Sequence, residues 1–228
     1  MKILIVSPKS DIQADSELIA AAGENRPTIL NDIVSGREVI NAIASGKYNA
    51  VHFAAHGNQN ALEMTDGLID DMQLQAAFES AARNGVPVDV VVFNACRSIG
   101  PALRVYSSTK GGPSFVVSWR HDVGDDEARF FAIRFWRSLS LDSAAVRDAF
   151  EDAKDAFIRQ FPNAEPPLLL NGIKAMLDEL ARQVAMQTTT IRELQNPPRD
   201  IIDRVLPITL FAMTAVVVVL SFYVAFGG

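Results

Sequence analysis

The sequence predicts an α/β fold on a mainly parallel sheet flanked by helices, and three observations carry that expectation. Short β-branched and aromatic runs alternate with helical stretches through residues 1–172, the pattern of successive βαβ units. Residues 88–94 are nearly continuous in apolar side chains, as suits a strand covered on both faces. Two of the runs end in reactive side chains, His56 and Cys96, and open α/β sheets place their sites at the carboxyl edge of the strands.

The elements follow in order. Residues 2–7 read as a buried strand, 16–22 as a short helix and 28–30 as a second strand. Ser35 is the expected N-cap for a helix over 37–44 that stops at Gly46, since a serine hydroxyl accepts from the first orphan N–H groups and glycine tolerates the left-handed C-terminal turn. Residues 50–55 form the histidine strand, and Thr65-Asp66 separates two apolar runs as a hairpin would. A helix over 71–84 leads to the cysteine strand at 88–94, and another follows Cys96 to about Tyr106. A strand at 114–119, helices over 125–139 and 143–161, and a short strand at 166–170 complete the expected domain.

The C-terminal part departs from this plan. Apolar residues recur with a heptad beat, Leu170, Leu177, Val184 and Ile191 in one register and Ile173, Leu180 and Leu194 in the other. That spacing predicts either a two-stranded coiled coil, hence a homodimer through 170–194, or an amphipathic helix packed on its own domain. Gln187 interrupts the seam, and Pro197-Pro198 ends the helix. Residues 208–226 then run for nineteen residues without a charge. As a helix they would rise about 28 Å, close to the ~30 Å hydrocarbon core of a bilayer. Arg199 and Arg204 lie on the N-terminal side of this run, so the positive-inside rule predicts a single-pass cell-membrane protein with a cytoplasmic N-terminal domain. The expected division is therefore a domain at 1–172, a linker helix at 173–196, a linker at 197–207 and a transmembrane helix at 208–226.

Composition narrows the function. Hydrophobic residues make up 49% of the chain, ample for a core, and the net charge of −6 argues against nucleic acid as a partner. Cys96 is the only cysteine, so it has no disulfide partner within the chain, which suits a reducing compartment. One cysteine and three scattered histidines give no zinc spacing, and Gly111-Gly112-Pro113 lacks the lysine of a phosphate loop. No cofactor is expected.

What remains is the pair of strand ends, Val51-His52-Phe53-Ala54-Ala55-His56-Gly57 and Val91-Val92-Phe93-Asn94-Ala95-Cys96-Arg97-Ser98. If the strands are parallel neighbours, an imidazole and a thiol emerge side by side. A thiol of ordinary pKa ~8.5 is a poor nucleophile at pH 7 and needs such a base. Read singly, Cys96 is a small inert hydrophobe and His56 a turn residue; their joint occurrence at two strand ends reverses both readings. His52, on the opposite side of its strand from Phe53, reads as structural, and His121 as a loop residue.

These motifs resemble the caspase-like clan of cysteine peptidases, in particular its CHAT family, where one strand ends in His-Gly and the next in Asn-Ala-Cys-Arg-Ser. The resemblance extends through Ser118-Trp119-Arg120, Asp122-Val123-Gly124-Asp125-Asp126 and the aromatic stretch at 129–136, and covers about residues 1–172. The histidine precedes the cysteine by 40 residues, against roughly 50 in the caspase signature, and Asn94 stands where that signature has glutamine. The resemblance implies a caspase-like, doubly wound sheet and an endopeptidase acting on protein or peptide substrates. Cys96 would be nucleophile, His56 the general acid and base, and the backbone amides of Gly57 and Cys96 the oxyanion hole. It also implies a setting in regulated proteolysis or bacterial defence. Two other classes stay open: a catalytically silent caspase-like scaffold, and an effector whose span perturbs the bilayer on oligomerisation.

Substrate-binding residues are expected at Asn94, Trp119, Arg120 and Asp125. Laid on the separase branch of the clan, Trp119 to Asp125 resembles a stretch whose aspartate binds a basic side chain, which places Asp125 in the pocket. Laid on the caspase strand, Arg120 would instead recognise aspartate. The two alignments predict opposite substrates, and arginine or lysine is the preferred expectation. Asp125 as a mere helix cap is the alternative.

Overall fold

A computed structural model describes residues 1–8, 16–22, 27–108, 111–141 and 145–172, with residues 182 and 184. The chain divides into two compact units, Met1–Ala175 and Met176–Gly228. Apart from residues 182 and 184, the expected linker helix at 173–196 lies outside the described residues, as do the expected linker at 197–207 and the apolar run at 208–226. Among the described residues no helix is long and apolar enough to cross a membrane.

The first unit holds eight strands and six helices among its described residues: β1 (Ile3–Ser7), α1 (Ser16–Ala21), β2 (Thr28–Asn31), α2 (Gly36–Ala44), β3 (Ala50–Ala54), β4 (Ala61–Met64), β5 (Gly67–Asp70), α3 (Asp71–Asn84), β6 (Val90–Asn94), α4 (Ile99–Tyr106), β7 (Phe115–Ser118), α5 (Asp125–Leu141), α6 (Val146–Gln160) and β8 (Leu168–Leu170). Six strands form one sheet in the order β2-β1-β3-β6-β7-β8. All pairs are parallel except β7 with β8, which is antiparallel. β4 and β5 form a separate antiparallel hairpin, Met64 facing Gly67 across the Thr65-Asp66 turn.

Both faces of the sheet are covered, which explains the unbroken apolar runs of its central strands. One face packs Leu4, Val51, Phe53, Val91 and Phe93 against α2, α3 and α4. The other packs Ile3, Ile5, Val90, Val92 and Val117 against α1, α5 and α6. The aromatic stretch falls here: Phe131, Phe135 and Trp136 are fully buried, so these residues are core.

Local chemistry sets the helix starts. Ser35 takes an extended conformation and its Oγ accepts from the Glu38 N–H at 3.1 Å. Asp70 and Gln73 form a reciprocal capping box at the start of α3, satisfying two donors that the first turn leaves without partners. α6 begins at Val146, three residues later than the sequence suggests.

His52 is fully buried on β3. Its Nδ1 accepts a hydrogen bond from the Trp136 indole N–H at 3.2 Å, while its Nε2 has no partner among the described residues. Burial without a counter-charge disfavours the imidazolium and pushes its pKa down to about 3. His52 is a neutral core residue.

Candidate active site

The site begins with strand register. β3 and β6 are parallel neighbours, with Ala54 beside Asn94. His56 and Cys96 each lie two residues beyond that last pair, at the carboxyl edge of the sheet, and both are half-buried.

On the histidine side the chain turns back at once. Gly57 bridges Leu62 in antiparallel fashion, with the Glu63 N–H bonded to the His56 carbonyl and the Asn58 N–H to the Ala61 carbonyl. Bonds on either side of a facing pair make Gly57 and Leu62 a non-hydrogen-bonded pair, so the Gly57 N–H is directed away from β4. It donates to no described residue. The turn is closed from within: Asn58 Oδ1 accepts from the N–H groups of Asn60 at 2.9 Å and Ala61 at 3.0 Å. Gly57 is also a close approach. A Cβ there would stand 3.0 Å from the Cys96 carbonyl oxygen and 3.1 Å from the Ala95 Cβ, so the two strand ends press together where glycine leaves room.

On the cysteine side the chain leaves β6 through a strained turn. Arg97 has φ +49, a left-handed conformation that side-chain-bearing residues rarely adopt. Several bonds hold it there. Ser98, fully buried, donates from Oγ to the Phe93 carbonyl and accepts from the Trp119 N–H, each at 3.2 Å. The Arg97 N–H bonds to the His121 carbonyl and the Ile99 N–H to the Trp119 carbonyl. The Cys96 N–H, like that of Gly57, donates to no described residue.

The segment after β7 closes on the thiol. Cys96 Sγ accepts from the Val123 N–H at 3.4 Å and its S–H donates to the Val123 carbonyl oxygen at 3.5 Å. Outside it, Arg97 and Asp122 form an exposed ion pair at 2.6 Å. Arg120 Nη1 and His121 Nδ1 each lie 3.3 Å from a different oxygen of Glu165, the histidine contact lacking the alignment of a hydrogen bond.

The residues expected to bind substrate fall into two groups. Asn94 and Trp119 belong to the scaffold: Asn94 Oδ1 accepts from the Trp119 indole N–H and Asn94 Nδ2 donates to the Ala128 carbonyl, both at 3.1 Å. Trp119 is fully buried against Phe131 and Phe157, so it offers no surface to a substrate. Arg120 and Asp125 stay near the rim, Arg120 held by Glu165 and Asp125 exposed in the first turn of α5. Asp125 is not the helix cap: the Gly124 carbonyl accepts from the Ala128 N–H, and the Gly124 N–H donates to Glu127. Sequence reasoning did not single out Ser98 as a clamp, Val123 or Glu165. Nothing local in the sequence marks them, because each acts through a partner more than 20 residues away.

No three or more His, Cys, Asp or Glu side chains are grouped for a metal ion among the described residues.

No protein-family model matches the chain, and no curated protein does. Solved structures do. A structure described as that of a protease matches 75% of this chain and 47% of its own at 10% identity, with a TM-score of 0.53. The arginine-specific cysteine proteinase gingipain R matches 71% of this chain and 43% of its own at 12% identity, with a TM-score of 0.53. The complex of the pro- and mature domains of the Porphyromonas gingivalis enzyme gives 71%, 44%, 12% and 0.54 in the same terms. The chain thus spans less than half the length of each of these. At such identities the likeness is one of fold, a mainly parallel sheet flanked by helices that this chain shares with these proteases.

Proposed function

We propose that the chain is a caspase-like cysteine endopeptidase acting through Cys96 and His56, with Gly57 and Cys96 supplying the oxyanion hole. The observation that carries this reading is the convergence at one sheet edge of a thiol, an imidazole-bearing strand end and two backbone N–H groups committed to no described residue. A cysteine peptidase needs these groups and no metal.

In the proposed reaction the Cys96 proton passes to His56, and the sulfur attacks the scissile carbonyl carbon. The carbonyl π electrons move onto oxygen, which the Gly57 and Cys96 N–H groups stabilise. His56 returns the proton to the departing amine as the C–N bond breaks, leaving a thioester. Water, deprotonated by His56, then attacks the thioester, and the acid product leaves with the thiol restored. The Val123 N–H stays with the sulfur when its proton departs, so the anion keeps one donor.

Arginine or lysine is the preferred residue before the cut. Asp125 follows Val123 by two residues and has no partner among the described residues, whereas Arg120 already faces the Glu165 carboxylate. The arginine-specific enzyme among the structural matches points the same way. Cleavage of a mixed peptide library is expected after basic residues, and Asp125→Asn is expected to lower kcat/KM on them roughly tenfold or more. Preferred cutting after aspartate would overturn this and promote Arg120.

The uncharged run at 208–226 supports a membrane anchor, with the catalytic unit on the cytoplasmic side. The full chain is expected to sediment with membranes and resist carbonate extraction, and a chain ending at Pro197 to remain in the supernatant. Full-length protein in the soluble fraction without detergent would remove the anchor from the proposal.

A further inference from the structure

We infer that Gly100 is a positioning residue that sets the place of His56 relative to Cys96; the inference rests on the dyad proposed above. Gly100 is the second residue of α4, four beyond the thiol. A Cβ there would overlap the Gln59 carbonyl oxygen outright, and the three nearest atoms from outside the helix backbone all belong to the Gln59 backbone. The turn that follows His56-Gly57 therefore sits directly on the bare backbone of the helix that follows Cys96.

The contact is one of two. Gly57 meets Ala95 and the Cys96 carbonyl at the base of the turn, and Gln59 meets Gly100 at its tip. Between them, Asn58 bonds the turn to itself. A segment touching its neighbour at two glycines has its tilt fixed as well as its distance. His56 immediately precedes the segment.

Burial decides which side would yield to an added methyl. α4 is anchored in the core by Pro101, Ala102 and Val105, whereas residues 58–60 are exposed. The turn would swing outward and take Gly57 and His56 with it, while α4 and the thiol stay. Helix propensity predicts the opposite sign for stability, since alanine is the better helix former in an open site. A misplacement on the order of 1 Å costs about 100-fold in a reaction that depends on proximity.

The test uses the full chain, with turnover of the best peptide from the library and the rate of Cys96 alkylation by iodoacetamide. Gly100→Ala is expected to fold, to lower kcat by about 100-fold with KM little changed, and to slow alkylation. In a double-mutant cycle its effect on alkylation should vanish when His56 is already alanine, which general loosening of the fold would not produce. Asn58→Ala, which frees the turn without adding bulk, should shift kcat in the same direction by a smaller factor. A folded Gly100→Ala protein with unchanged kcat, or an undiminished effect in the His56→Ala background, would overturn the inference. If Gly100→Ala fails to fold, Asn58→Ala decides, and unchanged kcat there overturns it. Equal alkylation rates in wild type and His56→Ala would instead refute the dyad itself.

Discussion

Replacing Cys96 by alanine is expected to abolish peptide cleavage, and His56→Ala to leave cleavage lower by about four to six orders of magnitude. These magnitudes are those of nucleophile and base acting as one unit, where losing either costs nearly as much as losing both. The double variant should accordingly be little worse than either single one. The Gly57 and Cys96 N–H groups stay in place in His56→Ala, so a residual rate above the uncatalysed reaction is expected. Full turnover by Cys96→Ala would place the chemistry elsewhere. Both variants should still fold, because both side chains are only half-buried at the rim of the sheet and Cys96 packs against the edge of the core.

A second large effect concerns stability and comes from His52. Its pKa is about 3 in the folded protein and near the ordinary ~6.5 once unfolded. Between those values the unfolded chain binds the proton and the folded chain does not. Stability is therefore fully present above about pH 6.5 and falls as pH drops, by up to about 1.4 kcal/mol per pH unit from this one group. His52→Gln keeps an acceptor for the Trp136 indole and removes the titration. Denaturant unfolding across this range should give a shallower pH dependence for the variant, since carboxylates contribute equally to both proteins. Identical slopes would mean that His52 is hydrated and titrates normally.

The parts of the molecule that were legible in advance are those set by local pattern. The apolar run at 88–94 announces a central strand because both of its faces are covered, and Ser35 marks a helix start because capping is a matter of three or four residues. The adjacency of the strands that lead to His56 and Cys96 was legible for a similar reason: βαβ order makes neighbours of strands that the sequence separates. Trp119 shows where that reasoning stops. A motif beside a nucleophile suggests substrate contact, yet the indole lies in the aromatic core and bonds to Asn94, a pairing across 25 residues that periodicity does not encode. The Ser98 clamp, the seat of the thiol against Val123 and the Glu165 contacts are of the same kind. They depend on how a strand end, a turn and a distant loop meet in space. The antiparallel direction of β8 was equally hidden, since a three-residue strand carries no sign of its direction.

An activated Cys96 in the folded protein should react with a library of peptide-based electrophiles, read by mass spectrometry. Adducts should form at Cys96, faster in the native protein than after unfolding in urea at the same pH, and should be strongly reduced in His56→Ala. Native protein that labels no faster than unfolded protein, with His56→Ala indistinguishable from wild type, would show that Cys96 is an ordinary thiol on a caspase-like scaffold.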